Sequence, residues 1–209
     1  MISSYSASQR TAEWYRARLG KVTASRVAEV MAKTSRGYGL SRKHYMRELL
    51  YERETGRRRQ HYVSSAMRWG IAHEPEARAV YAREQDVPVI QTGFIVHPSI
   101  PMAGASPDGL IGRDGMLEIK CPGTERHVDT IVNGRIHRRY VLQMQFQMMC
   151  ARRTWDDFAS YDPRMPEDLM LYVKRFEYDD ALAAEITREV TIFLEELAAA
   201  EKERMGKSA

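Results

Sequence analysis

Two short segments, Ser106-Pro107-Asp108-Gly109 and Leu117-Glu118-Ile119-Lys120, constrain this chain more than any others. In extended chain, side chains alternate between faces, so Glu118 and Lys120 share one face while Leu117 and Ile119 turn toward a core. Asp114-Gly115 between the segments is a strong signal for a tight hairpin that folds Asp108 back toward Glu118. Two carboxylates and an ammonium then converge. Close carboxylates repel each other, and such a pair asks for a cation. Oxygen donors favour Mg²⁺ or Mn²⁺ over zinc. An ion held there could activate a water and stabilise charge on a phosphoryl oxygen, with Lys120 placed to orient or deprotonate that water. The competing reading is a surface hairpin with solvated charges.

The chain has 209 residues, 44% of them hydrophobic, enough to bury a substantial core. A serine-rich segment over 1–10 reads as loosely ordered, and 11–209 reads as a single elaborated domain. Lys plus Arg number 32 against 28 Asp plus Glu, a net charge of only +4. The arginines nevertheless bunch at Arg57-Arg58-Arg59, Arg135-Ile136-His137-Arg138-Arg139 and Arg152-Arg153, a distribution suited to a polyanion such as nucleic acid. Only Cys121 and Cys150 occur, which excludes a four-cysteine metal site. With no long apolar run and no secretion signal, the expectation is a cytoplasmic protein away from membranes. There is no phosphate-binding G-x-x-x-x-G-K-[ST] loop, so nothing points to ATP. His73-Glu74 resembles the start of a zinc-protease helix, but Ala77 stands where the second histidine is needed.

In chain order, Trp14, Tyr15, Arg18 and Leu19 predict a short helix stopped by Gly20. A second helix is expected near Thr23-Ala24-Ser25, with Val27, Val30 and Met31 on its buried face. Its N-terminus is a ready anion site, to which Ser25 could add a hydroxyl and Arg18 a planar fork. Residues 33–67 are polar and basic, with a weak helix over 42–54; a mobile flap over a site and an ordinary surface excursion fit equally. A helix over 65–85 contains Pro75, which should kink or break it. Short strands are expected over 87–96, then the acidic hairpin, which Cys121-Pro122 ends. Helices over 124–133 and 136–151 follow. The second has Leu142, Phe146 and Met149 inward, with Gln143 and Gln147 on a neighbouring face. Strands over 155–161 and 169–176 and a helix over 180–203 complete an α/β (α+β) chain with helices flanking an antiparallel-rich central sheet.

Taken in order, Glu13-Trp14, Arg18-Leu19-Gly20, Thr23-Ala24-Ser25, Trp69-Gly70, Glu74, Ser106-Pro107-Asp108-Gly109, Leu117-Glu118-Ile119-Lys120-Cys121-Pro122, Gln143-Met144-Gln145 and Tyr161-Asp162-Pro163-Arg164-Met165 resemble the phage lambda-type exonuclease family. This family is also called YqaJ-like viral recombinase nucleases, within the PD-(D/E)XK nuclease superfamily. The resemblance implies a restriction-endonuclease-like core with a mixed sheet. It implies that Asp108, Glu118 and the Ile119 carbonyl bind one or two Mg²⁺ ions, with Mn²⁺ as the alternative, and that Lys120 acts on the attacking water. Gln143 and Glu74 match residues of the same active site. Arg18, Ser25 and Ser106 match a pocket for a terminal 5′-phosphate, with Trp14 beside it. The implied reaction is 5′-to-3′ digestion of double-stranded DNA to mononucleotides, which leaves a 3′ strand for a single-strand annealing protein in phage-type recombination. A homo-oligomer, a ring trimer around DNA, is implied as well. The rivals are a restriction-like endonuclease and a non-catalytic DNA-end-binding adaptor.

Residues 33–67 have no counterpart in that resemblance. Tyr38, Arg42 and Arg57, Arg58 and Arg59 are the candidates there for contact with the DNA end.

Overall fold

The computed structural model describes residues 8–60 and 62–207. The expected loose segment over 1–10 falls mostly outside them. Within them, Gln9 already donates to the carbonyl of Pro107 at 2.8 Å, and Arg10 pairs with Glu74 at 2.5 Å. The elements are α1 (Ala12–Arg18), β1 (Val22–Thr23), a 3₁₀ turn (Ala24–Arg26), α2 (Val27–Val30), β2 (Lys33–Thr34), β3 (Gly37–Tyr38), α3 (Leu40–Thr55) and α4 (Ser65–Glu84). They continue as β4 (Val89–Ile90), β5 (Ile95–Val96), β6 (Ala103–Ala105), β7 (Gly109–Ile111), β8 (Gly115–Lys120), α5 (Thr124–Asn133), α6 (Arg138–Ala151), β9 (Trp155–Tyr161), β10 (Leu171–Glu177) and α7 (Asp180–Lys207).

The main sheet has the order β10-β9-β8-β7-β4, and only its β8–β9 pair is parallel. A parallel neighbour needs a crossover, and the α5–α6 segment supplies it. That crossover lays α6 across the face that carries Glu118. A second sheet, β1-β6-β5, leads from the first helix toward the acidic hairpin. This is the mixed, antiparallel-rich sheet with flanking helices that the residue pattern implies.

Two apolar cores hold the layers. In one, α2, α3, α6 and α7 interdigitate through Val27, Val30, Tyr45, Leu49, Phe146, Ile186, Val190 and Phe193. In the other, Ala77, Val80 and Tyr81 of α4 cover Leu117, Ile119 and Ala159 of the sheet. Helix α4 runs through Pro75 without a break, held by that packing. Leu142, Phe146 and Met149 are all buried, as their spacing predicts.

The segment 33–67 departs from the flap reading. Helix α3 starts at Leu40 and is a core element, with Tyr45 and Leu49 about 2% exposed. Tyr38 donates to Glu189 at 2.8 Å. Arg42 is buried, donating to the Val30 carbonyl at 3.1 Å and to Glu196 at 2.5 Å, with its guanidinium over Tyr38 and Phe193. These polar groups look unpartnered along the sequence, but α7, some 150 residues away in the chain, brings their partners. The Tyr38 hydroxyl and the Arg42 guanidinium are thus both engaged inside the protein.

The hairpin also differs in detail. Ile111 pairs with Gly115, so the turn is Gly112-Arg113-Asp114, with Gly112 left-handed at φ +52°, and Gly115 lies in the strand. Glycine is required there because an added Cβ would sit 2.1 Å from the Trp155 ring.

Asp162, wholly buried after β9, accepts from Thr124 at 2.7 Å and from Arg164 at 2.7 and 2.8 Å, and Arg164 lies over Trp69. Burial opposes its ionisation, but these bonds prevail and hold its pKa at about 2 instead of 3.8. A depressed carboxylate contributes stability that is complete above its unfolded value and is lost as pH falls through its folded value. Thermal melts between pH 4 and 2 should therefore show wild type losing stability that Asp162→Asn does not lose over the same window.

Candidate active site

The β7–β8 hairpin does what its sequence predicts. The Asp108 N–H donates to the Leu117 carbonyl at 3.1 Å, and the Asp108 Oδ2 accepts from the Ile119 N–H at 2.8 Å. In extended chain the N–H and C=O of one residue point to the same strand edge, so the Ile119 carbonyl faces the Asp108 side as well. Arg78 of α4 donates to the Asp108 carbonyl at 2.9 Å and to Glu74 at 2.6 Å. The strand, the loop before β7 and α4 are thereby locked around one point.

Glu118 is 1% exposed and collects donors from two directions. Its Oε1 accepts from Lys120 Nζ and from Gln143 Nε2, the latter at 2.7 Å, and its Oε2 accepts from Gln147 Nε2 at 2.6 Å. The glutamine spacing on α6 makes this possible, since residues four apart lie one above the other. Gln147 contributes as much as Gln143. Reading the sequence singled out Gln143 alone, although the i, i+4 spacing marked both.

Burial, then the neighbouring charges of Glu118 and Glu74, push the Asp108 carboxyl well above the usual carboxylate range, against the opposing effects of Lys120 and the Ile119 N–H. Burial alone would lower Lys120, but the carboxylates of Glu118 and Asp108 outweigh it and raise it above its ordinary value. As an ammonium beside two carboxylates, Lys120 is suited to orienting an attacking water and stabilising negative charge. Among the described residues no set of three His, Cys, Asp or Glu side chains converges on a metal. Two carboxylates and a peptide carbonyl do suit Mg²⁺, which keeps several waters and needs few protein ligands. Burial is the main reason the Asp108 carboxyl is raised; the charges of Glu118 and Glu74 add to it, and a cation would relieve that second part.

A cavity of about 730 Å³ opens over this point, lined by Asp108, Ile119, Lys120 and Glu74 on one side and by Arg126, Arg135 and Arg139 on the other. A second cavity of about 290 Å³ is lined by Trp14, Arg18, Ser25, Arg26 and Arg58. Met67 and Ile71 of α4 border both. Trp14 donates to Ser106 Oγ at 2.9 Å and Arg18 donates to the same oxygen at 3.2 Å, with the guanidinium 4.1 Å above the indole. The oxygen of Ser106 being occupied as an acceptor, its hydroxyl proton is free to donate outward. Burial lowers Arg18 to about 10, which leaves it charged at neutral pH. Arg58 stacks 3.9 Å over Tyr15 at the mouth of this cavity, whereas Arg57 and Arg59 are exposed outside it.

Asp108, Glu118, Ile119, Lys120, Gln143 and Glu74 are thus gathered at one place, and Arg18, Ser25, Ser106 and Trp14 at a second next to it. A family model described as the YqaJ-like viral recombinase domain matches residues 13–154. The alkaline exonuclease LHK-Exo from Laribacter hongkongensis is 48% identical, with a TM-score of 0.89 over 95% of this chain and 98% of that one. The chain belongs to the YqaJ-like viral recombinase domain family.

The same relative has been seen in complex with dAMP. A phage-related exonuclease from Haemophilus somnus 129PT, 13% identical, shares the fold of this YqaJ-like chain, with a TM-score of 0.68 over 88% of it and 96% of the other. No curated protein matches the sequence. The match over 13–154 covers the acidic hairpin, the lining of the second cavity and all of the first cavity's lining except Arg10, Phe158 and Ser160. No helix among the described residues is long and apolar enough to cross a membrane.

Proposed function

We propose that this protein is a divalent-metal-dependent deoxyribonuclease that digests double-stranded DNA from 5′-phosphorylated ends, 5′ to 3′, to mononucleotides. The observation that carries the reading is the pairing of the acidic Asp108–Glu118–Lys120 site with the desolvated Arg18–Ser106 pocket, joined by Met67 and Ile71. Asp108, Glu118 and the Ile119 carbonyl would hold Mg²⁺ or Mn²⁺. When bound, the ion supplies Lewis acidity to a phosphoryl oxygen and acidifies a water. Lys120, held by Glu118, orients that water and meets the charge that builds on the phosphoryl group. Gln143 and Gln147 keep Glu118 aimed by donating to its two oxygens. Glu74 positions Arg10 and Arg78 at the edge of the site.

Arg18, Ser25 and Ser106 would receive the terminal phosphate, which sets the scissile bond one nucleotide away. The dAMP complex of LHK-Exo supports a mononucleotide product. Arg58 at the pocket mouth and the Arg126–Arg135–Arg139 wall offer cations to the DNA backbone. A homo-oligomeric ring and a single-strand annealing partner belong to the same reading, by family resemblance.

Closed circular and linear duplex DNA, incubated with the protein and Mg²⁺, decide it. Loss of the linear DNA with the circle intact is the expected result. Cutting of the closed circle would establish the endonuclease instead, and binding without any turnover would establish the adaptor.

A further inference from the structure

We propose that Asp156 is a positioning residue for this active site: its carboxyl group donates a hydrogen bond to Gln147 Oε1 and thereby holds the Gln147 amide on Glu118. The inference deepens the exonuclease reading and rests on it for its activity measurements. Three atoms carry the argument. Asp156 is fully buried and neither of its oxygens has a hydrogen-bond partner among the described residues. Gln147 is also fully buried, its Nε2 donating to Glu118 Oε2 at 2.6 Å, yet its Oε1 has no partner among the described residues.

The register places these carboxyl groups on one face of the sheet. On the parallel β8–β9 pair, Asp156 stands beside Met116 and Phe158 beside Glu118, so the side chains of Asp156 and Glu118 lie on the same face of the sheet. That face is covered by α6, which runs opposite to β8: Tyr140 lies beside Lys120, and Met148 packs on Met116. Gln147 therefore bridges the step from Glu118 toward the Met116–Asp156 end. Its amide nitrogen is on Glu118, which leaves its carbonyl oxygen as the end in need of a donor.

Acceptors alone would repel there, and a buried carboxylate without a donor is strongly disfavoured. Lys120, the nearby cation, is bound to Glu118. A proton on Asp156 turns the repulsion into a bond. It also settles which way the Gln147 amide is turned. Burial first, and then the charges of Glu118, Asp108 and Asp157, push the Asp156 carboxyl well above its ordinary range, opposed by Lys120. The consequence for function is indirect: Asp156 aims Gln147, and Gln147 aims Glu118.

The test uses the full chain with Asp156→Asn, which keeps a donor, and Asp156→Leu, which does not. At neutral pH the infrared difference between wild type and Asp156→Asn should contain the C=O stretch of a protonated carboxylic acid. On linear duplex with Mg²⁺, Asp156→Leu should lose about 10- to 100-fold in kcat with KM unchanged, and Mn²⁺ binding by calorimetry should weaken in parallel. Asp156→Asn should restore most of both. Absence of the infrared band, equal impairment of the two variants, or full activity in folded Asp156→Leu would each overturn the proposal. Should Asp156→Leu fail to fold, the infrared band and the Asp156→Asn rate remain decisive. Wild type that digests no DNA would defeat the exonuclease reading, while the infrared band would still decide the proton.

Discussion

Asp108→Ala should abolish DNA digestion with Mg²⁺, a fall on the order of 10³-fold or more, while duplex binding should change little. The first half follows from geometry: Asp108 is one of two carboxylates at the site and orders the Ile119 peptide through a 2.8 Å bond. The second half follows because DNA affinity comes mainly from cations on phosphates, and Arg18, Arg58 and the arginines of the cavity wall are untouched. Folding should survive. Freeing the Ile119 N–H costs about 1–3 kcal/mol, but the repulsion of Asp108 by Glu118 and Glu74 disappears in the same step. Rates on linear duplex, gel-shift affinity and a thermal melt check the three parts, and residual digestion at the wild-type rate would remove Asp108 from the site.

Arg18→Ala should slow digestion of 5′-phosphorylated ends by about 10- to 100-fold, the worth of a hydrogen bond between charged groups, and should barely affect 5′-hydroxyl ends. The guanidinium is fixed between the Trp14 face and Ser106 Oγ, so a planar fork is presented ready for an anion. Arg18→Lys should recover little of the loss, because an ammonium cannot stack or bind at two points in the same way. Initial rates on matched duplexes with and without the 5′-phosphate separate the alternatives. Equal slowing on both would mean that Arg18 serves packing between Trp14 and Phe94.

Local chemistry made much of this site legible. Alternation in Leu117-Glu118-Ile119-Lys120 set the faces of β8, and Leu142, Phe146 and Met149 set the inward face of α6 and with it the side on which Gln143 lies. Gly20 at φ +67° stops α1 where its residue type predicts, and Gly20 is gripped from α3 by Glu52 and Arg53. Where the reading failed, the partner was remote. Arg42 and Tyr38 looked like surface groups because Glu196 and Glu189 lie far along the chain. Gly115 looked like a turn residue because the Trp155 ring that needs its empty face arrives only when β9 pairs with β8.

The sequence by itself determined which residues alternate, where helices stop, and that two acids and a lysine meet across one hairpin, since these follow from backbone geometry over a few residues. Only the tertiary structure decided what surrounds them. The α5–α6 crossover laid Gln143 and Gln147 on Glu118, α4 carried Glu74 and Arg78 to Asp108, and the β1-β6-β5 sheet set Arg18 beside Ser106. Burial and charge at these atoms depend on segments distant in the chain, and no local pattern encodes them.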